Sequence, residues 1–148
     1  MVWLNVLVES NKYRVISHIL ASKGSVGLQA SGTSMFPLIK DGEVCRFINF
    51  EKTCLKRGDI LLYESAHGHL VAHRLILQKR GKYLCKGDSN LGVDEWISKD
   101  QIIGKMVYVN KKKRVLFVDR TIGKLWTWAI LTCPFLSNVL RWFIHFRK

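Results

Sequence analysis

The chain has 148 residues, 48% of them apolar, and carries 24 Lys and Arg against 11 Asp and Glu, a net charge of +13. That length and apolar share suit one domain with a real core, and the charge predicts attraction to something acidic: nucleic acid, an anionic membrane or an acidic peptide. Cys45, Cys54, Cys85 and Cys133 lack the close paired spacing of a zinc knuckle or a CxxC motif, which excludes both; free thiols in a reducing compartment are the simplest reading, with a Cys45–Cys54 bridge as the alternative.

In chain order, Met1 to Val8 is apolar but short and has no charged leader, so no cleavable signal peptide is expected. Ser10 is placed to cap a helix running to about Ser22. Tyr13, Ile16, Ile19 and Leu20 recur there at helical spacing, and Gly24 is placed to end it. Val26 to Ala30 reads as a short strand that delivers a sharp turn at Ser34-Met35-Phe36-Pro37. Pro37 restricts Phe36 and stiffens that turn, and Asp41-Gly42 is a turn signal. Strands are predicted at Glu43 to Ile48, Asp59 to Glu64, Leu70 to Gln78 and Lys82 to Lys86, with a hairpin at Arg80-Gly81. Further strands at Lys105 to Val109 and Arg114 to Val118 complete a mainly β core. Many short strands with Gly turns predict a coiled, barrel-like sheet. The run Lys111-Lys112-Lys113-Arg114 reads first as a solvated hairpin tip. The expected divisions are a helical segment over 1–24, a β-rich body over 25–120 and an apolar tail over 121–148.

The tail differs in character. A spanning helix needs ~20 apolar residues; Leu125 to Leu140 is shorter, is interrupted by Pro134 and Asn138, and is followed by Arg141. Arg120 and Lys124 precede it, and Arg147 and Lys148 follow. Spanning segments usually show a one-sided excess of Lys and Arg, so these symmetric flanks favour a helical tail lying in an anionic membrane interface. A tail packed back on the β core, and a short span or hairpin, are the alternatives.

Three stretches carry chemistry: the Ser34 turn, Val71-Ala72-His73-Arg74, and Lys86-Gly87-Asp88-Ser89-Asn90. A serine hydroxyl is a weak nucleophile until an adjacent base takes its proton. A histidine among Leu70, Val71, Leu75 and Ile76 is pushed toward its neutral form, which a general base requires. An aspartate behind it would fix the tautomer, and the order Ser, His, Asp is permitted because a triad is defined by geometry. Each residue also has a plain structural reading: a turn serine, a buried histidine, an Asx turn at Asp88, a surface acid at Asp94. His67, His69 and His73 have the parity of one strand face and could bind zinc, but Gly68 makes the first two a hairpin tip. No metal or cofactor is expected.

Taken together, these residues resemble the signal peptidase I family of membrane-associated serine proteases. The resemblance covers roughly Leu28 to Val109. It rests on four blocks in the family's order: Ser31-Gly32-Thr33-Ser34-Met35-Phe36-Pro37, Arg57-Gly58-Asp59-Ile60-Leu61-Leu62, His73-Arg74, and Lys86-Gly87-Asp88-Ser89-Asn90 followed by Ile102-Ile103-Gly104-Lys105. The usual bacterial branch and the related LexA-type repressors carry lysine as the base. This chain has His73, like the branch typical of archaea and the endoplasmic reticulum. In that branch the essential aspartate lies six residues beyond the Gly-Asp aspartate, which here is Asp94. The resemblance thus implies Ser34 as nucleophile, His73 as general base and Asp94 as the orienting carboxylate, with Asp88 as the other candidate.

Two departures accompany the match. The family usually places a serine two positions before the nucleophile, where this chain has Gly32, as the repressor branch does. The oxyanion hole would then rest on backbone N–H groups, that of Ser34 included; Gly32 and Met35 are the neighbouring candidates for oxyanion and substrate contacts. No long apolar run lies in Met1 to Leu28, so the family's leading membrane anchor is not expected.

The resulting expectation is a coiled, signal-peptidase/LexA-type β fold. It would act as a serine endopeptidase that removes a leader or signal segment from a precursor peptide or preprotein, at the cytoplasmic face of a membrane or as an integral membrane protein. A catalytically inactive membrane adaptor and a basic nucleic-acid-binding protein of similar fold are the non-enzyme alternatives. Specific nucleic-acid binding is not expected, because the aromatic residues cluster in the tail rather than among the basic strand residues.

Overall fold

The computed structural model describes residues 2–51 and 54–146, with side chains from residue 12 onward. The chain runs α1 (Val2–Lys23), β1 (Ser25–Gln29), β2 (Val44–Ile48), β3 (Ile60–Glu64), β4 (Leu70–Lys79), β5 (Lys82–Lys86), β6 (Ile97–Ser98), a short 3-10 turn, β7 (Ile102–Lys111), β8 (Arg114–Phe117), α2 (Thr121–Thr132) and α3 (Phe135–Phe146). It is mainly β: one antiparallel eight-stranded sheet curled into a half-barrel, with three helices.

Strand order is β1-β2-β7-β3-β4-β5-β6, and β8 pairs with β7. The long β7 organises the sheet. On one side it pairs with β2 through Lys105–Asn110; on the other it pairs first with β3 and then, after that strand has ended, with β8. Bulges at Arg46/Phe47, Leu62/Tyr63 and Leu75/Leu77 increase the local twist and bend the sheet. Arg80 and Gly81 both have positive φ, 50° and 73°. That is the requirement of the two-residue turn matching strand twist, so the β4–β5 hairpin forms where the Arg-Gly pair predicts it.

The curl makes an inside. Leu20 and Ile16 from α1, Val26, Phe47, Ile60, Leu62, Met106 and Val109 fill it together with Met35, Leu38 and Ile39 of the turn that carries Ser34. A second cluster, built on Leu61, Tyr63, Leu75, Cys85 and Ile97, fills the opposite face of β3–β5. α1 crosses the sheet over Gly104, where an added Cβ would stand 3.0 Å from the Ile48 carbonyl and 3.1 Å from Leu20.

Several expectations shift. The first helix begins near residue 2 and passes through position 10, so Ser10 is not its N-cap; the Ser10 side chain lies outside the described residues. β6 is a two-residue strand paired with β5 and was too short to leave a period in the sequence. β7 is longer at both ends than Lys105–Val109. The tail is helical but breaks at Cys133-Pro134 into two helices bent by 105°, as the missing proline N–H dictates. The Arg147 and Lys148 flank lies outside the described residues.

Candidate active site

Ser34 sits in a turn that follows β1 across Ala30–Thr33. The Phe36 N–H donates to the Thr33 carbonyl at 3.0 Å and the Ile39 N–H to the Met35 carbonyl at 2.9 Å. This winding buries Met35, Leu38 and Ile39 and leaves Ser34 at the rim of the core. His73 lies on β4, opposite Leu61 of β3. Asp94 follows β5 in a loop tied back by its own N–H, which donates to the Cys85 carbonyl at 2.8 Å.

These three segments bring their side chains into line. Ser34 Oγ is 2.9 Å from His73 Nε2, and His73 Nδ1 is 2.7 Å from Asp94 Oδ2. A carboxylate only accepts, so Nδ1 carries the hydrogen and Nε2 presents its lone pair to the Ser34 hydroxyl. His73 is buried and the Asp94 side chain is 23% exposed. The acceptor nitrogen therefore faces the hydroxyl, with the carboxylate placed behind the ring.

Tyr63 joins the same oxygen. Its hydroxyl donates to Asp94 Oδ2 at 2.7 Å and lies 3.5 Å from His73 Nδ1. Tyr63 is only 2% exposed. Burial, and then the hydrogen bond to Asp94, raise its pKa far above that of a free phenol, so it remains a donor. No motif singled it out. A signal existed in the hairpin register: with Leu61 opposite His73 and Tyr63 opposite Val71, Tyr63 falls diagonal to His73 on the same sheet face.

Asp88 is engaged elsewhere. Both its oxygens accept from Arg74, Nε to Oδ1 at 2.8 Å and Nη2 to Oδ2 at 2.7 Å, and both side chains are 1% exposed. The Trp126 indole donates to Asp88 Oδ2 at 2.8 Å. Arg74 spends its remaining nitrogen on the Gly58 carbonyl and on Thr127 Oγ1, at 2.9 and 2.7 Å. The Asp88 carbonyl accepts from Ser137 Oγ at 2.8 Å. Asp88 is thus a buried ion-pair hub holding β4 to both tail helices, and it makes no contact with His73. The same loop clamps the Ser34 turn: the Ser89 N–H donates to the Ser34 carbonyl at 2.9 Å and Ser89 Oγ to the Thr33 carbonyl at 2.7 Å. Gly87 permits that approach, since a Cβ there would stand 2.8 Å from the Ser34 carbonyl.

The Gly32 N–H donates to Asp41 Oδ1 at 2.8 Å, and with φ at 90° Gly32 shapes the turn beside Ser34. The Ser34 N–H has no hydrogen-bond partner among the described residues. Met35 is a core residue that also walls the cleft.

That cleft, about 320 Å³, runs from Leu28–Gly32 to Leu70–His73 past Ser34 and is floored by Met35, Ile39, Phe47 and Leu62. Its two walls are unpaired strand edges. β1 ends the sheet, and β5 pairs with β4 only from Arg74 onward, leaving Leu70–His73 open.

The remaining candidates separate. His67 and His69 lie at the β3–β4 tip, closed by the Ser65 N–H to the His69 carbonyl at 2.9 Å. Among the described residues no group of three His, Cys, Asp or Glu could hold a metal ion. All four cysteines are free thiols; burial pushes Cys45 up to about 11 and Cys85 up to about 12. The chain matches no protein-family model, and a comparison with curated proteins gives no match.

Proposed function

We propose that the protein is a serine endopeptidase of signal-peptidase-like type, acting on a precursor peptide or preprotein. The carrying observation is the aligned Ser34–His73–Asp94 relay at 2.9 and 2.7 Å. A turn serine, a buried histidine and a surface acid have no structural need to meet in that order and tautomer.

The chemistry follows from the geometry. As Ser34 Oγ attacks a peptide carbonyl, its proton passes to His73 Nε2. Asp94 stabilises the imidazolium without taking the proton. The oxygen of the tetrahedral adduct faces the unpaired Ser34 N–H. Collapse gives an acyl-enzyme and an amine, which leaves with the proton from His73; water, deprotonated by the same nitrogen, then releases the acyl group. The open β1 and β4 edges support an extended substrate pairing by backbone hydrogen bonds, with its side chains in the apolar cleft. The family resemblance adds small residues just before the scissile bond.

The test is cleavage of an unbiased peptide library, read by mass spectrometry. Wild type is expected to cut at defined sites, and Ser34→Ala and His73→Ala to abolish cutting. The double variant would be little worse than either single one, because the residues act as a unit. Unchanged cutting by Ser34→Ala would overturn the reading.

A further inference from the structure

The tail helices are inside out. In a water-facing helix the apolar stripe turns to the core and polar residues face solvent. In α2 the side turned to the body carries Gly123, Trp126 and Thr127, fastened by hydrogen bonds from Trp126 to Asp88 and from Arg74 to Thr127. The outward side carries Leu125 and Trp128, exposed at 62% and 67%. α3 repeats the pattern. Ser137 and Leu140 face inward, with Ser137 bonded to the Asp88 carbonyl and to Lys86 Nζ. Phe135, Trp142 and Phe146 are 73%, 61% and 72% exposed, on the opposite side. At 100° per residue, positions 135, 142 and 146 fall within one narrow stripe directly opposite 137 and 140. Neither helix is hung loosely: polar bonds together with Trp126 and Leu140 hold their inner faces, and Leu125, Trp128, Phe135, Trp142 and Phe146 point away.

Cations rim this face. Ile122, at the start of the α2 stripe, shares a groove with Lys40, Lys112, Lys113 and Arg114. Trp128, further along the same stripe, shares a second groove with Lys56, Arg57 and Lys124. The two grooves lie on opposite flanks of α2. An apolar, tryptophan-bearing centre between two basic flanks matches the layers of an anionic bilayer, acyl chains within and phosphates at the surface. A protein groove or a second copy of this chain would account for the apolar face but not for the excess of cations on both flanks, five against Asp41 and Glu43 in the first groove and four against Asp59 and Asp119 in the second, in a molecule of net charge +13.

We infer that α2 and α3 form a membrane-docking face that lies in an anionic leaflet, with Trp128, Phe135, Trp142 and Phe146 among the acyl chains and the 111–114 hairpin over the phosphates. No single described helix is long and apolar enough to cross a membrane; α2 and α3 pass that test only together, bent by 105°. A bent pair with polar inner anchors suits a face that enters one leaflet. This inference stands apart from the peptidase reading, because it needs no intact catalytic residue.

The test is co-sedimentation of the full chain with vesicles of phosphatidylcholine alone or with 30 mol% phosphatidylglycerol. Tryptophan emission and analytical ultracentrifugation accompany it. Binding is expected on the anionic vesicles, with a blue shift and with loss at high salt. The Trp142→Ser/Phe146→Ser variant, altered only at exposed positions, should lose at least tenfold in binding. Lys112→Glu/Lys113→Glu/Arg114→Glu should lose about 100-fold, since each cation near the surface contributes about fivefold. Circular dichroism would show both variants folded. Equal binding by both variants would overturn the proposal. So would a stable dimer that ignores vesicles, or tight DNA binding with none to lipid. A Ser34→Ala protein that binds vesicles like wild type separates this result from the fate of the peptidase reading.

Discussion

At the scale of single residues, Asp94 Oδ2 carries the most consequence, because two buried donors converge on it. His73 Nδ1 and Tyr63 OH both lie 2.7 Å away. The Tyr63 bond fixes the carboxylate in place against the His73 ring. Tyr63→Phe should therefore lower kcat about tenfold, the low end for a hydrogen bond to a charged group, with KM little changed. A tyrosine needed only for packing would lower stability and leave kcat near that of wild type. Little of this was legible in the sequence. Ser34 and His73 stood out through their blocks and Asp94 through a family spacing. Tyr63 sat unnoticed in an apolar strand, since its role depends on a cross-strand diagonal. The bond from the Gly32 N–H to Asp41 was hidden too, because a side chain nine residues away is invisible to a local motif.

At the scale of elements, the two aspartates divide the labour. The Gly87-Asp88-Ser89 turn is a joint between β4, the Ser34 turn and both tail helices, while the Asp94 loop holds its carboxylate against His73. Asp88→Asn leaves the Arg74 cation buried without its full counter-charge, which costs about 3–5 kcal/mol and should lower the melting temperature by roughly 10 °C. Asp94→Asn should change stability by less than ~1 kcal/mol, because its side chain is partly exposed, yet remove about four orders of magnitude of rate through the wrong tautomer. The opposite result in calorimetry and kinetics, with Asp88 governing rate and Asp94 stability, would reverse the assignment. The strands themselves were legible wherever turn chemistry bounded them, as at Arg80-Gly81 and Asp41-Gly42. What the sequence concealed was tertiary: the two-residue β6, the ends of β7 defined by pairing with three neighbours, and a tail whose polar residues face inward. Periodicity reports an apolar stripe but not which side of it meets the body.

At the scale of the whole molecule, the half-barrel, the loops and the tail form one mechanical path. β1 delivers Ser34, β4 delivers His73, and the loop after β5 delivers Asp94. The tail reaches the same place: the Phe143 ring stacks on Phe36, two residues beyond Ser34, with centroids 5.9 Å apart. A tail that serves only as a detachable anchor does not fit that contact or the Asp88 hub. The coiled, mainly β architecture was readable from short strands and Gly turns, whereas the packing of the tail against the Ser34 turn was not. The central claim is that Ser34 is a nucleophile activated by His73, and covalent trapping reads it most directly. Incubation with a fluorophosphonate, followed by digestion and mass spectrometry, is predicted to place one adduct on Ser34 Oγ. That adduct should disappear in His73→Ala, while the far-ultraviolet circular dichroism of that variant stays like wild type. An unmodified Ser34 in protein that cleaves peptides, or equal labelling with and without His73, would contradict the account.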